Sequence, residues 1–387
     1  MKQRSLLGVA VAAALTLAAC GGSESSTDTT APAETNPGDV GIDLSADCPA
    51  TVALQTDWNP ESEHGFLYQL VGPGYTVDTG KLRVTGDLMA GGKPTGVKVE
   101  VRAGGPAIGY GQVTAELYKD PNLLLGFIST DEAVSNSDEF PTMGVVAPFN
   151  INPQIIMWDP ESYPEAKTIA DLKDENVKVR YFDGAAYIDY FVESGILTKD
   201  QVDATYDGTP AAFVAAGGKD AQQGFGTSEP YFYEKVLPDW KKPVAYQYIH
   251  DAGWTAYAQS LGGTPENVAK YDACLKKLVP IIQQAQIDFI NSPETTNALI
   301  LDLVSQYNNG WLYDAGQAAA AVTQMQADSL VKNSPDGTLG SFDIDRVNDF
   351  IAKATSVYEA SGTKVKAGLT ADDIVTNKFI DPAISLG

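Results

Sequence analysis

The sequence predicts an α/β protein of two lobes, and three observations carry that reading. The chain has 387 residues, 44% of them hydrophobic, more than one hydrophobic core normally serves. From Thr51 onward, short strand-like runs alternate with helical ones, the rhythm of parallel sheets covered by helices. The last third then turns helical, with no internal repeat of solenoid length.

The N-terminal residues are read first. Lys2 and Arg4 precede an apolar run from Leu6 to Ala19 that ends Leu17-Ala18-Ala19-Cys20. Residues 1–19 have the basic start, short apolar stretch and small-residue end of an export signal, and the run is too short to span a bilayer. The Leu-Ala-Ala-Cys ending resembles a bacterial lipobox, which implies that Cys20 becomes the lipidated first residue of the mature chain, its acyl chains inserted in the lipid bilayer. Residues 20–49, rich in Gly, Ser, Thr, Pro and acids, read as a flexible tether. A lipid-anchored protein on the extracytoplasmic face of the cell membrane is therefore expected. Cys48 and Cys274 remain in this exported chain, where an even pair favours a disulfide over two buried thiols.

The body follows in order. Val52-Ala53-Leu54 is a strand entering a turn at Asp57-Trp58-Asn59-Pro60. Val97, Val99 and Val101 alternate with Lys98, Glu100 and Arg102, a strand with one polar face. Gly104-Gly105-Pro106 breaks it, and a helix is expected to run through Leu117. Leu123 to Ile128 is uninterruptedly apolar, as a buried parallel strand should be. Thr168–Lys173 then Val177–Tyr181 repeat helix and strand, and Asp183-Gly184 opens a helix over Ala185–Ser194. Thr264-Pro265-Glu266 has the residues of a helix N-terminus. Val268, Tyr271, Leu275, Leu278, Ile282, Ala285 and Phe289 then form one apolar stripe, kinked at Pro280. Further helices are expected near 295–307, 315–332 and 343–361.

Composition and motifs exclude several functions. Twenty-six Lys and Arg against 50 Asp and Glu give a net charge of −24, so nucleic acid is not an expected partner. Two histidines and three cysteines leave too little for a zinc site or a haem attachment motif. No metal and no cofactor are expected. The glycine-rich stretch Gly104–Gly111 lacks the Gly-Lys-Ser/Thr ending of a phosphate loop. Gly226-Thr227-Ser228-Glu229-Pro230 has Pro230 where a nucleophile elbow needs glycine. No catalytic residue is assigned, and the protein is expected not to be an enzyme, the alternative being an exported enzyme acting on a cleft-bound small molecule.

Four segments in order carry a resemblance. Leu54-Gln55-Thr56-Asp57-Trp58-Asn59-Pro60 with His64 and Gly74-Tyr75 forms the first. Thr168–Lys173 with Val177-Lys178-Val179, Ser228-Glu229-Pro230-Tyr231, and Gly368–Ile374 with Thr376–Phe379 form the others. Together they resemble the thiamine-pyrimidine-synthase-like group of ABC-transporter substrate-binding proteins, relatives of the nitrate, sulfonate and taurine binders. Pro60-Glu61 replaces the group's usual Pro-Asn, and the cysteine-rich iron motif of the eukaryotic synthases is absent. The resemblance implies a two-lobed, type II periplasmic-binding-protein-like fold whose lobes, joined by crossover strands, close on a small molecule. It also implies an ABC permease as partner. Lobe one would comprise residues 50–147 and 253–387, lobe two residues 148–252, and the protein would be a monomer.

Candidate ligand residues come from strand ends, where an open α/β sheet places its ligands. Trp58 is the expected stacking platform, with Asn59, Gly105 and Tyr110 on the same loops, and His64 a neutral donor or acceptor. Nine of the 18 tyrosines fall between Tyr181 and Tyr257, which suits a cleft that stacks a planar ligand. Asp183, Tyr187, Glu229 and Tyr231 are the candidates there. His250 and Trp254 sit where the chain should cross back, at the position of a ligand-facing Tyr-Gly-x-Pro in the resembled group. Arginine is scarce, and Arg102 and Arg180 each share a strand face with a lysine. A small planar, nitrogen-containing metabolite, such as a thiamine pyrimidine precursor, is thus favoured. The alternative is a sulfonate, nitrate or riboflavin-type binder of the same fold.

Overall fold

The computed structural model describes residues 42–387. Cys20, the export signal and most of the tether lie outside the described residues. Two sheets organise the rest. The first joins β1 (Thr51–Gln55), β2 (Thr76–Asp78), β3 (Arg83–Ala90), β4 (Lys93–Arg102), β5 (Leu123–Phe127) and β6 (Met143–Val146) with β12 (Leu261–Gly263). The second joins β7 (Gln154–Trp158), β8 (Lys178–Arg180), β9 (Val202–Asp203), β10 (Asp220–Phe225) and β11 (Ala245–Tyr248). Spatial orders are β2-β3-β4-β1-β5-β12-β6 and β11-β7-β10-β8-β9.

Both sheets are mixed rather than wholly parallel. β1 pairs in parallel with β4 and β5, whereas β12 runs antiparallel to β5 and β6, and β7 antiparallel to β10 and β11. β3 and β4 form a long antiparallel hairpin. Its Gly91-Gly92 turn has positive φ at both residues, as a tight hairpin of the sheet's twist requires. Burial follows the sequence pattern where packing is simple. All five residues of β5 are buried, and Val97, Val99 and Val101 are the buried face of β4.

The chain passes between the sheets after β6 and again after β11. Arg346 holds both passages. Its guanidinium donates to Asn150 O at 2.6 Å, Thr255 O at 2.9 Å and Ala256 O at 3.2 Å, while lying 3.7 Å over the Tyr257 ring. Arg346 belongs to the helix Ile344–Ala360, which packs against Thr130–Ser135 of the first lobe and Ala186–Glu193 of the second. Another C-terminal helix, Ala315–Ala327, supplies Ala321, Val322 and Met325 to a core shared with Ile155 and Met157 of β7. The C-terminal helices therefore serve both lobes.

The stripe expected from Val268 to Phe289 divides between Pro265–Lys270 and Asp272–Asn291. The break falls at Tyr271, and the second helix continues through Pro280. The helix expected over 315–332 ends at Ala327. Near the start, Leu44 is fully buried and its N–H donates to Thr95 O at 2.9 Å, inside the stretch read as tether. Cys48 is disulfide-bonded to Cys274 of the long helix. No helix among the described residues is long and apolar enough to cross a membrane.

Candidate functional site

The topology dictates where a site can form. β1 lies between two parallel neighbours, so the residues leaving its carboxyl end emerge at the middle of a sheet edge, where a crevice opens between diverging connections. Those residues are Asp57 and Trp58. In the second lobe β8 leads to Phe182, and β10 leads through Phe225 to Ser228 and Glu229. These ends face one another around a cavity of about 190 Å³.

The wall from the first lobe consists of Asp57, Trp58, Glu61 and Trp311, with Gln259 from the second passage between lobes. The opposite wall holds Phe182, Tyr206, Gly208, Phe225, Ser228 and Glu229, with Gln154, Gln223 and Gly224 at its base. Trp58 is the centre of the aromatic lining. Its ring centroid lies 6.1 Å from Trp311 and 6.4 Å from Phe182, both edge-on. The Gly104-Gly105 loop fixes the turn, since Gly104 N–H donates to Trp58 O and Gly105 N–H to Asp57 O, each at 2.8 Å. A Cβ at Gly104 would lie 2.2 Å from Thr56 O, and one at Gly105, whose φ is +55°, 2.7 Å from the Trp58 ring. Glycine is required at both places by this close approach. The glycine-rich stretch is thus a cradle for Trp58.

Polar groups are positioned from behind. Gln223 Oε1 accepts from Tyr187 OH at 2.6 Å and from Phe182 N–H at 3.1 Å. Phe225 N–H donates to Glu229 Oε2 at 2.6 Å. Glu63, buried behind the cavity, accepts from Gln259 Nε2 at 3.1 Å and from the hydroxyl of Thr227 on the opposite lobe. Loss of hydration pushes Glu229 up to about 7 and Glu63 up to about 8. Glu61 is also held well above the usual carboxylate range, by burial first and then by the charges of Glu63, Asp57 and Glu229.

Trp58 and Glu229 line the cavity, and the other candidate residues lie elsewhere. Asn59 is buried and accepts from Asn309 Nδ2 at 2.8 Å. His64 is fully buried, its Nε2 2.8 Å from Asp57 Oδ1, so it meets the site through that carboxylate. Gly105 lies beneath the Trp58 ring. Tyr110 is 62% exposed on the far side of Trp58, 5.8 Å between centroids. Asp183 is exposed beside Phe182. Tyr187 is buried in the helix–sheet core and acts on the cavity through Gln223. The Tyr231 hydroxyl approaches Gly316 at the start of the helix Ala315–Ala327. His250 packs beside Arg346, and burial lowers it to about 4. Trp254 is fully buried between Tyr190 and Phe350.

Sequence reasoning passed over Asp57, Glu61, Gln259, Phe182, Tyr206 and Trp311. Asp57 and Glu61 stood inside the segment already singled out. Trp311, in Asn308-Asn309-Gly310-Trp311, carried only the signal of an aromatic on a turn. Its indole N–H donates to Pro60 O at 3.2 Å, a partner about 250 residues away in sequence. Arg102 and Arg180 pair with Glu100 and Asp120, and with Asp203 and Asp220, away from the cavity. Among the described residues no cluster of His, Cys, Asp and Glu could hold a metal ion.

The fold recurs in solved structures. The aliphatic sulphonate binding protein SsuA of Escherichia coli is 16% identical over 88% of this chain and 95% of its own, with a TM-score of 0.54. The alkanesulfonate-binding protein SsuA of Xanthomonas axonopodis pv. citri, bound to MOPS, is 13% identical over 85% and 99%, with a TM-score of 0.51. A protein of Bordetella bronchiseptica RB50 is 13% identical over 86% and 96%, with a TM-score of 0.52. The chain has the two-lobed type II periplasmic-binding-protein fold. No protein-family profile and no curated protein matches the sequence.

Proposed function

We propose that this chain is the extracytoplasmic solute-binding lipoprotein of an ABC importer. It captures a small molecule in the cleft by lobe closure and delivers it to a permease. The observation that carries the reading is a single cavity walled by aromatic residues of both lobes, Trp58 and Trp311 on one side and Phe182 and Tyr206 on the other. A ligand touching both walls favours the closed arrangement by whatever contacts the open one lacks. Export and lipidation at Cys20 rest on the N-terminal sequence.

Two ligand classes divide the support. Two of the solved structures are sulfonate-binding proteins by name, which favours the sulfonate or nitrate alternative over a thiamine pyrimidine precursor. The aromatic lining favours a planar nitrogen-containing ligand. A thermal-shift screen of the mature chain against sulfonates, nitrate, aminopyrimidines and flavins separates them. A tight ligand adds about 4 kcal/mol at a thousandfold excess over Kd, and no response to any small molecule would defeat the reading. Acyl-probe labelling in cells that is lost in Cys20→Ala tests the anchor.

A further inference from the structure

The ionisable acids of the cleft are not balanced by any base, and the rest of its polar side chains, Gln154, Gln223, Ser228 and Gln259, are neutral. Three carboxylates, Asp57, Glu61 and Glu229, line it, and no lysine or arginine does. Gln259 adds an acceptor: it is 2% exposed, its Nε2 is turned to Glu63, and its Oε1 has no protein partner. A buried acceptor left without a donor is costly, which leaves this wall of the cavity short of donors. Around these oxygens stand the faces and edges of Trp58, Phe182, Tyr206 and Trp311, whose ring quadrupoles attract positive charge.

From this convergence we infer that the cleft is a site for a small planar organic cation carrying N–H donors, of the amidinium type. The inference rests on the solute-binding reading and gives it a ligand charge. The N–H groups of the cation donate to the carboxyl groups, while the ring lies against Trp58. An anion would meet three carboxyl groups and no cationic side chain, and would oppose their ionisation further. Dehydration holds Glu61 and Glu229 toward their protonated forms, with repulsion from neighbouring carboxylates added at Glu61, and a cation that enters favours their ionised forms.

Three probes of one shape and different charge test it: benzamidinium, benzamide and benzenesulfonate, titrated calorimetrically into the mature chain. Benzamidinium is expected to bind about tenfold or more tighter than benzamide, the increment of one charged hydrogen bond, with benzenesulfonate silent. Glu229→Gln and Glu61→Gln are each expected to erase most of that preference of benzamidinium over benzamide. Equal or tighter binding of benzamide or benzenesulfonate overturns the cation inference and leaves the solute-binding reading intact. Silence of all three probes, with a response elsewhere in the wider screen, does the same. Silence in both experiments overturns both readings.

Discussion

The hydroxyl of Thr227, on the lobe built around β10, donates to the carboxylate of Glu63, on the lobe built around β1. This bond spans the mouth between the two sheets directly behind the cavity, so it exists only when the lobes are together. Replacing Thr227 by Val keeps the volume and removes the donor. With Glu63 held mostly neutral by burial, such a bond contributes about 0.5–1.5 kcal/mol, so ligand dissociation should accelerate about two- to tenfold. Stopped-flow tryptophan fluorescence measures it. Unchanged dissociation would mean that closure does not depend on this link.

Trp58 should report occupancy and supply much of the affinity. Trp58→Ala removes the platform that Gly104 and Gly105 cradle, losing stacking area and an aromatic contact worth about 0.5–1.5 kcal/mol beyond burial. Affinity for the ligand found by screening should fall about tenfold or more, with no change in overall fold by circular dichroism. Tyr110→Ala, on the exposed side of the same ring, should change affinity far less.

Stability should depend on pH with a defined sign. Glu229 and Glu63 are raised to about 7 and about 8, and Glu61 is raised well above the ordinary carboxyl value near 4.5. Between roughly pH 4.5 and 8 the ligand-free folded chain therefore holds more protons than the unfolded chain, and its stability falls as pH rises. Melting temperature of the ligand-free protein should decline across that window, and Glu229→Gln should flatten the decline. A melting temperature that rises over the same window would contradict the burial of these carboxyls.

Arg346 should set how the lobes move. It donates to carbonyls of both passages between the sheets, so Arg346→Met leaves three carbonyls without this donor, at about 1–3 kcal/mol for each that stays buried and unpaired. Denaturant midpoints should drop accordingly. Small-angle scattering of the ligand-free variant should give a broader distance distribution than the parent.

The strands and helices were legible because their periods are local. β5 reads as an apolar run and is buried throughout, and the helices near 295–307 and 343–361 are found as Glu294–Tyr307 and Ile344–Ala360. Trp58 was legible for a related reason, being the aromatic at the end of the first strand. Trp254 and Tyr187 misled because an aromatic near a chain crossing and one on a helix face look alike whether they face a cleft or a core. Their packing against Phe350 and Phe191 is decided by elements distant in sequence or by helix rotation. Trp311 and Gln259 reach the cavity only through long-range contacts, which no window of sequence contains. The mixed strand directions escaped because β12, three residues long, returns to the first sheet from far along the chain.

The bond between Cys48 and Cys274 joins the chain just ahead of β1 to the first turn of the longest helix among the described residues. Load applied upstream of Cys48 therefore passes into that helix instead of into the first strand. β1 sits between β4 and β5 and carries Asp57 and Trp58 on its end, so peeling it would dismantle the cleft from within. With the clasp intact, a pull on the N-terminal segment moves the body as a unit and leaves the binding turn unstretched. In a force spectrometer the oxidised chain should resist extension from its N-terminus until the helix gives way, and the reduced chain should yield first at the strand.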